Sequence, residues 1–174
     1  MDDNIIACIC EGGAEQAIMD ILLENNAIVF EKDQLLDEKV IRARSAQKFE
    51  QDYLRKNFNR KITVYRILDS RRENFKLSKP YKDKVEVINV VTAPEIEMLI
   101  IHNEDKYDDF KKAREKPSDY CKRNLKYTDV KSYKFVKEYF SNIQMLTSAI
   151  KIYRQKANVE KREITLYDLL RVKK

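Results

Sequence analysis

Two adjacent glycines, Gly12 and Gly13, are the only glycines among 174 residues, and they follow an apolar run that ends in Glu11. The run itself, residues 5–10, is short and continuously apolar, which is typical of a strand buried in a parallel sheet. Beyond the glycines, apolar residues recur at helical spacing to about residue 24. A glycine pair at such a turn indicates either positive φ or a close approach of other atoms to the backbone. The acid before the turn is expected at the carboxyl end of a strand, where open α/β sheets hold their chemistry.

Strand and helix patterns alternate along the first hundred residues. Strands are predicted over residues 4–10, 27–30, 61–68 and 84–91, and residues 35–41 fit either a helical turn or a lid over the sheet. Helices are predicted over residues 14–24, over 45–58 with Ser45 as N-cap, and over 96–103 with Pro94 just before it. Strands separated by helices predict an α/β fold with a parallel or mixed sheet.

The rest of the chain has a helical pattern. Helices are predicted over residues 107–116, 117–125, from a cap at Thr128 to 140, 143–153 and 165–172. We therefore expect a single domain, residues 1–174, with a sheet-bearing core (1–104) and a helical C-terminal extension (105–174).

Composition narrows the classes of protein that fit. Hydrophobic residues make up 43 % of the chain, which favours a folded globule over a disordered chain. The net charge of +6 is compatible with a polyanionic partner such as nucleic acid, although modest basicity alone is weak evidence for one. No apolar run approaches the ~20 residues that span a bilayer, so no membrane association and a cytoplasmic location are expected. Three cysteines and one histidine make a poor zinc set and predict free thiols in a reducing compartment.

Carboxylates stand at the ends of several predicted strands. Glu11 ends the first strand, Asp69 ends a later one, and Glu95 and Glu97 follow the next. Parallel strands bring these ends to one edge of the sheet, and carboxylates gathered there need a counter-charge. Mg²⁺ meets that need, because it takes carboxylate ligands together with substrate phosphate. The alternative for each acid is that it is solvated or caps a helix.

Three segments resemble a known family. Residues 11–15, Glu-Gly-Gly-Ala-Glu, resemble the E-G-x-x-E/D opening of Toprim domains, the metal-dependent catalytic modules of topoisomerases, primases and OLD-type nucleases. Residues 67–71, Ile-Leu-Asp-Ser-Arg, lie where that family carries its D-x-D motif on a later strand. Residues 92–102, Thr-Ala-Pro-Glu-Ile-Glu-Met-Leu-Ile-Ile-His, resemble the N-P-x-x-E-x-W-L-L-L-H segment of small RloB-like defence proteins.

The resemblance implies a Toprim-like (Rossmann-like) fold and a nuclease that depends on Mg²⁺ or Mn²⁺. Its substrate would be DNA or RNA, tRNA included, and it would act in bacterial anti-phage defence beside a partner ATPase. Glu11 would be a metal ligand or general acid/base, Asp69 a metal ligand and catalytic residue, and Glu97 a further ligand. Glu15, one turn beyond Glu11 on the helix, would contact these acids without binding the metal itself.

One position departs from the family pattern. The second acid of D-x-D would fall at Arg71, so the site would hold fewer metals, use Glu73 instead, or have lost catalysis. Arg71 and Arg72 suit phosphate oxygens, but they also suit a solvated loop. An inactive Toprim-like module that binds nucleic acid or a partner protein is therefore the second hypothesis.

Two further patterns remain open. Lysine or arginine alternates with tyrosine between Tyr120 and Lys134, which fits nucleic-acid binding or amphipathic helices with tyrosine at the core boundary. His102, the single histidine, fits a packing role or a functional one. The sequence contains neither a P-loop nor a G-x-G-x-x-G motif, so any ATP-driven step would need the partner.

Overall fold

A parallel sheet forms the centre of the protein. The structure is a computed structural model that describes residues 4–55, 60–71, 74–92 and 96–171. Its strands are β1 (Ile5–Cys10), β2 (Ile41–Arg42), β3 (Ile62–Leu68) and β4 (Val85–Val91), in the order β2-β1-β3-β4. Every pairing is parallel. The predicted α/β class is confirmed. The sequence analysis left open whether the sheet is parallel or mixed, and the pairings between these four strands are all parallel.

Helices flank this sheet. They are α1 (Gly13–Glu24), α2 (Ala46–Phe49), α3 (Glu97–Asn103), α4 (Tyr107–Ala113), α5 (Pro117–Arg123), α6 (Tyr133–Tyr139), α7 (Ile143–Lys156) and α8 (Leu166–Leu169). Each overlaps a predicted helix, and the clearest reason is in α7, whose buried residues Leu146, Ala149, Ile150 and Tyr153 recur at the helical period. No helix in the described part of the chain is long and apolar enough to cross a membrane.

The larger core lies on one face of the sheet. Cys8 and Cys10 point into it from β1, as their spacing predicts, and they are fully buried and unoxidised. It is completed by buried side chains from both halves of the chain, among them Ile18, Leu22, Ile100, Val136, Phe140, Leu146 and Ile150. The helices after residue 104 therefore share one core with the sheet.

The smaller core lies on the opposite face. Ile62 and Val64 of β3 contribute to it, together with Phe49 of α2. Arg66 lies two residues after Val64 and therefore points to the same face of the sheet, where its side chain is only 1 % exposed. Its guanidinium lies over the Phe75 ring, 4.5 Å from the centroid. A buried cation thus stands in an otherwise apolar layer.

The second strand along the chain is not where the sequence analysis predicted it. Residues 27–30 were expected to form this strand, but β2, which is two residues long and pairs with β1, lies at residues 41–42. Ile28 makes an isolated antiparallel bridge with Leu170, and Phe30 stacks on Tyr65 at 5.2 Å between ring centroids. The prediction at 27–30 is wrong because this run is a loop that buries Ile28 and Phe30 in the core, while its backbone forms hydrogen bonds with residues 169 and 171.

Helix caps agree with the sequence at one position and differ at another. Ser45 caps α2 as predicted, its Oγ accepting a hydrogen bond from Lys48 N at 3.2 Å. A π-type turn, Glu50–Leu54, continues that helix. Thr128 does not begin α6, because Ser132 Oγ accepts from Phe135 N at 3.1 Å and so fixes the N-cap four residues later.

The end of the described chain returns to the sheet. Val91 N at the end of β4 donates to Ile164 O at 2.8 Å, and Val29 N donates to Leu169 O at 2.9 Å. Thr165 caps the single turn of α8 through a capping box with Asp168. Residues 164–170 therefore form a strap, which joins the outer edge of β4 to the loop after α1.

Candidate functional site

A cleft of about 350 Å³ opens at the carboxyl edge of the sheet. It is lined by Glu11, Gly12, Ala14, Glu15, Arg44, Ile67, Asp69, Glu97 and Lys131. Four acids singled out in the sequence, Glu11, Glu15, Asp69 and Glu97, thus face one space.

The parallel register explains why these acids meet. Cys10, the residue before Glu11, is paired with Ile67 of β3, and Leu68, the residue before Asp69, is paired with Val91 of β4. Glu97 opens α3, the helix that follows β4. Two acids directly after neighbouring strands and one at the start of the helix that follows β4 therefore meet at the same edge, as is typical of open parallel sheets.

Both glycines beside the cleft are explained by close approach rather than by positive φ. Gly12 is the N-cap of α1 with φ −108°, which any residue adopts, but a Cβ there would collide with the Glu15 carboxylate. A Cβ on Gly13 would lie 3.1 Å from the backbone nitrogen of Tyr133. The glycine pair therefore lets Glu15 fold back on one side and α6 pack closely on the other.

Glu15 is a buried carboxyl in the first turn of α1. Burial raises the pKa of Glu15, and the charge of Asp69 adds to the rise, while Lys131 and the backbone N–H groups of Gly12 and Glu15 oppose it. This carboxyl therefore holds a proton more readily than an exposed glutamate does, beside the other acids of the cleft.

Glu11 is paired with the buried arginine of β3. Arg66 Nη2 donates to Glu11 Oε1 at 3.3 Å, and the Glu11 side chain is 27 % exposed. On the other side, Arg42 Nη2 donates to the backbone oxygen of Glu11 at 3.2 Å. Two strands thus hold this residue by its side chain and by its main chain.

Glu97 is paired with a lysine from the helical half of the chain. Lys131 Nζ lies 3.1 Å from Glu97 Oε1. The Glu97 side chain is 3 % exposed and the Lys131 side chain is 56 % exposed, so a fixed acid meets a cation that is largely in solvent. A buried carboxylate needs such a partner to remain ionised.

The donor set fits a divalent cation in its chemistry. Four carboxylates line the cleft, and Mg²⁺ binds through one or two carboxylates while it keeps several waters or substrate phosphates. Within the described ranges no group of three or more His, Cys, Asp or Glu side chains is placed to enclose a metal ion. The cleft therefore brings four carboxylates to one space, two of them paired with cations, but does not gather three of the described ones around one point.

The remaining predicted residues lie elsewhere. Arg71 Nε and Nη2 donate to the two carboxylate oxygens of Glu163 at 2.7 and 3.0 Å, and Arg71 is not among the residues that line the cleft. Its guanidinium, for which both phosphate binding and a solvated loop were predicted, is paired with the segment between α7 and α8. Arg72 and Glu73, the other predicted phosphate and metal residues, lie outside the described residues, as do Glu95 and Pro94.

Three cationic side chains at the site were not assigned to it in the sequence analysis. Arg44 and Lys131 line the cleft, and Arg66 supports Glu11 from the core. Arg66 had a detectable signal, because it alternates with Ile62 and Val64, the apolar residues that this face of β3 contributes to the smaller core. A charged side chain at a core-facing strand position indicates that an oppositely charged side chain lies next to it.

The tyrosines of the basic C-terminal segment make contacts with other parts of the protein. Tyr120 is buried, with its ring edge-on to Phe110. Tyr127 OH donates to Glu104 at 3.1 Å, and Tyr133 OH donates to Asp20 at 3.0 Å. Of the two interpretations of this segment, the contacts favour tyrosine at the core boundary, and any nucleic-acid contact there falls to the lysines and arginines.

His102 lies at the far end of α3 from Glu97, away from the cleft. It is 5 % exposed and stacks on Tyr107 at 4.7 Å between ring centroids. Its Nδ1 has no hydrogen-bond partner within the described ranges. Burial, with a smaller effect of the Lys156 charge, lowers the pKa of His102 to about 4. These contacts fit the packing role.

His102 should make the protein sensitive to acid. Because its folded-state pKa lies below the ordinary value, its contribution to stability is present above about pH 6.5 and is lost as the pH falls through about 4. We expect His102→Phe to remove about 2–3 kcal/mol of the loss in unfolding free energy over that range. Urea titrations of both proteins at several pH values would measure this, and parallel pH profiles would contradict it.

Fold and cleft together define a class: an α/β protein with a four-stranded, all-parallel sheet flanked by helices, compatible with a Rossmann-like fold. Its acid-lined cleft lies at the carboxyl edge of the sheet. Comparison of the chain with protein-family models, curated proteins and solved structures finds no match.

Proposed function

We propose that the protein is a Mg²⁺- or Mn²⁺-dependent nuclease of Toprim-like type that hydrolyses phosphodiester bonds of DNA or RNA. The observation that carries the proposal is that one cleft gathers Glu11 and Asp69 from the ends of β1 and β3 and Glu97 from the start of α3, together with cations on its walls. Carboxylates suit the metal and cations suit the phosphate, so the cleft combines the two chemistries that this reaction needs. A role in anti-phage defence beside an ATPase is proposed from the family resemblance alone.

Each side chain has a role in this proposal. A bound divalent cation would polarise the scissile phosphodiester and lower the pKa of an attacking water. Glu11 and Asp69 would bind that cation, with Glu97 as a further ligand. Glu15, whose pKa is raised by burial and by Asp69, would hold a proton close to the reacting groups. Arg44 and Lys131 would hold phosphate oxygens of the substrate.

A second candidate is a module that binds nucleic acid without cutting it. The ion pairs in the cleft favour it, because Arg66 and Lys131 already give Glu11 and Glu97 counter-charges without a metal. Such a module would bind nucleic acid equally well in EDTA and in Mg²⁺.

A cleavage assay tests the proposal. Purified protein would be incubated with plasmid, single-stranded DNA and total tRNA in EDTA, Mg²⁺ or Mn²⁺. We expect metal-dependent cutting that falls by about a hundredfold or more in Asp69→Asn and in Glu11→Gln. Asp69→Asn is the cleaner variant, since among the described residues no hydrogen bond ties the Asp69 side chain to the core, whereas Glu11 supports a buried arginine.

Asp108→Asn, which changes an exposed acid on α4 outside the cleft, is the matched control and should cut at the wild-type rate. Metal-independent binding without cutting would favour the second candidate. Cutting that survives both cleft substitutions would show that these residues do not form the active site.

A further inference from the structure

A basic layer covers the smaller core. We give this name to residues 42–55, which include α2 and the π-type turn after it, together with residues 74–84, the loop before β4. Both segments bury apolar side chains in the smaller core. Ser78 N and Ser78 Oγ donate to the Glu50 carboxylate at 2.6 and 3.0 Å. The two segments are therefore joined into one layer on this face of the sheet.

Positive charge is concentrated in the basic layer. Its 25 residues contain eight lysines and arginines against three aspartates and glutamates, a net charge of +5 where the whole chain carries +6. Two of the three acids are already engaged, Glu50 with Ser78 and Asp52 with Lys48 at 3.0 Å. The exposed cations that make no ion pair with another described residue are Arg44, Arg55, Lys76, Lys79, Lys82 and Lys84.

The helices over the larger core also carry cations, but several of these have acidic partners within the protein. Arg123 Nη2 lies 3.2 Å from Glu115 Oε2, and Lys137 Nζ lies 2.6 Å from Glu24 Oε2. Such pairs weaken the attraction of a surface for a polyanion, because each carboxylate repels it. The basic layer is therefore the better surface for a polyanionic partner.

The aromatic rings of the basic layer are turned toward the protein. Phe49 is fully buried, Tyr53 stacks on it at 5.6 Å between ring centroids, and Phe75 and Tyr81 pack against the smaller core. None of the described aromatic residues of the layer is exposed. The surface thus offers charges for phosphates but no ring on which an unpaired base could stack, which suits a duplex better than a single strand.

Arg44 connects the basic layer to the cleft. It lies two residues after β2 and directly before Ser45, the N-cap of α2. It also lines the cleft, together with Glu11 and Asp69. A phosphate backbone bound along the layer therefore reaches the carboxylates of the cleft at this residue.

We propose that the basic layer binds the phosphate backbone of double-stranded nucleic acid, without reading its sequence, and leads it to the cleft at Arg44. The inference rests on the proposed function for what happens to the duplex in the cleft. Binding to the layer itself needs no metal, because lysines and arginines that contact phosphates gain free energy from the release of counterions. Binding should therefore weaken steeply as the salt concentration rises.

The test measures binding in EDTA, where no metal-dependent hydrolysis occurs. A short fluorescein-labelled DNA duplex, an RNA duplex of the same sequence and one of the single DNA strands would be titrated at several salt concentrations. We expect both duplexes to bind about fivefold or more tightly than the single strand, because a duplex has about twice the phosphate density along its axis. An equal or higher affinity for the single strand would overturn the proposal.

A triple variant of the basic layer locates the surface. Combining Lys76→Gln, Lys79→Gln and Lys82→Gln should weaken duplex binding about a hundredfold or more at low salt. It should also lower the slope of log affinity against log salt by about 2–3, the value of three phosphate contacts.

The matched control makes the same change of charge on the helices over the larger core. It combines Lys112→Gln on α4, Lys122→Gln on α5 and Lys151→Gln on α7, which are likewise exposed. This control should bind the duplex as the wild type does. Equal losses in the two triple variants would overturn the proposal, because they would show that only the total charge matters.

Two further measurements separate this proposal from its rivals. Vesicles of phosphatidylcholine and phosphatidylserine offer a different polyanionic surface. Binding to these vesicles without binding to either duplex would overturn the proposal. In the cleavage assay, duplex binding with the expected losses but no metal-dependent cutting would support the basic layer and refute the nuclease. Cutting of plasmid at an unchanged rate by the basic-layer variant, at low plasmid concentration, would refute the basic layer alone.

Discussion

Glu11→Gln is expected to lower the free energy of unfolding by about 2 kcal/mol, in addition to any effect on activity. Arg66 is 1 % exposed and lies in an apolar layer, and its ion pair with Glu11 at 3.3 Å compensates part of its burial. Breaking a buried pair by removing one partner costs about 3–5 kcal/mol, and the partial exposure of Glu11 reduces that figure. Urea denaturation at neutral pH would measure the difference.

A second substitution makes the reason for this loss testable. Arg66→Met removes the buried charge with little change of volume, so Glu11→Gln should cost much less in that background than in the wild type. Glu31→Gln is the matched control, because its pair with Arg171 is exposed on both sides and should be worth about 0.5 kcal/mol or less. Equal losses for Glu11→Gln in both backgrounds would show that the pair does not stabilise the fold.

A chain cut after residue 104 is expected to remain unfolded. The larger core joins Ile18 and Leu22 of α1 to Phe140, Leu146 and Ile150 of the later helices. Removing those helices would expose the apolar surfaces of α1 and α3 against which they pack, a loss well above the 5–15 kcal/mol that stabilises a typical domain. Circular dichroism and amide dispersion in NMR spectra would show the result, and a cooperatively folding fragment would contradict it.

A point substitution measures how much the later helices contribute to the larger core. Phe140 is fully buried at the end of α6, so Phe140→Ala should cost about 3–5 kcal/mol of unfolding free energy. Tyr167→Ala, which truncates a 42 % exposed ring on α8, should cost about 1 kcal/mol or less. Similar losses for the two variants would show that the later helices do not share the main core.

The position of the acids could be predicted because it depends on local rules. A continuously apolar run before Glu11 marks a buried strand, and parallel strands send their carboxyl ends to one edge. The same rule places Asp69 after β3 and Glu97 after β4. All three line the cleft, together with Glu15.

What could not be predicted depends on contacts between distant segments. Lys131 reaches the cleft because Gly13 admits α6, a contact that no pattern around residue 131 reveals. Arg71 meets Glu163 for the same kind of reason. Residues 27–30 have the composition of a strand, but their backbone pairs with residue 170 instead of with β1.

The strap formed by residues 164–170 has a consequence for synthesis of the protein. It covers part of the outer edge of β4, and on the ribosome it emerges long after that strand. Until then the nascent chain carries an uncovered strand edge, which is the kind of surface that pairs with other chains. Slower elongation through the last helices would prolong that interval, so the yield of protein made in cells should depend on translation speed there and on chaperones that cover β-edges.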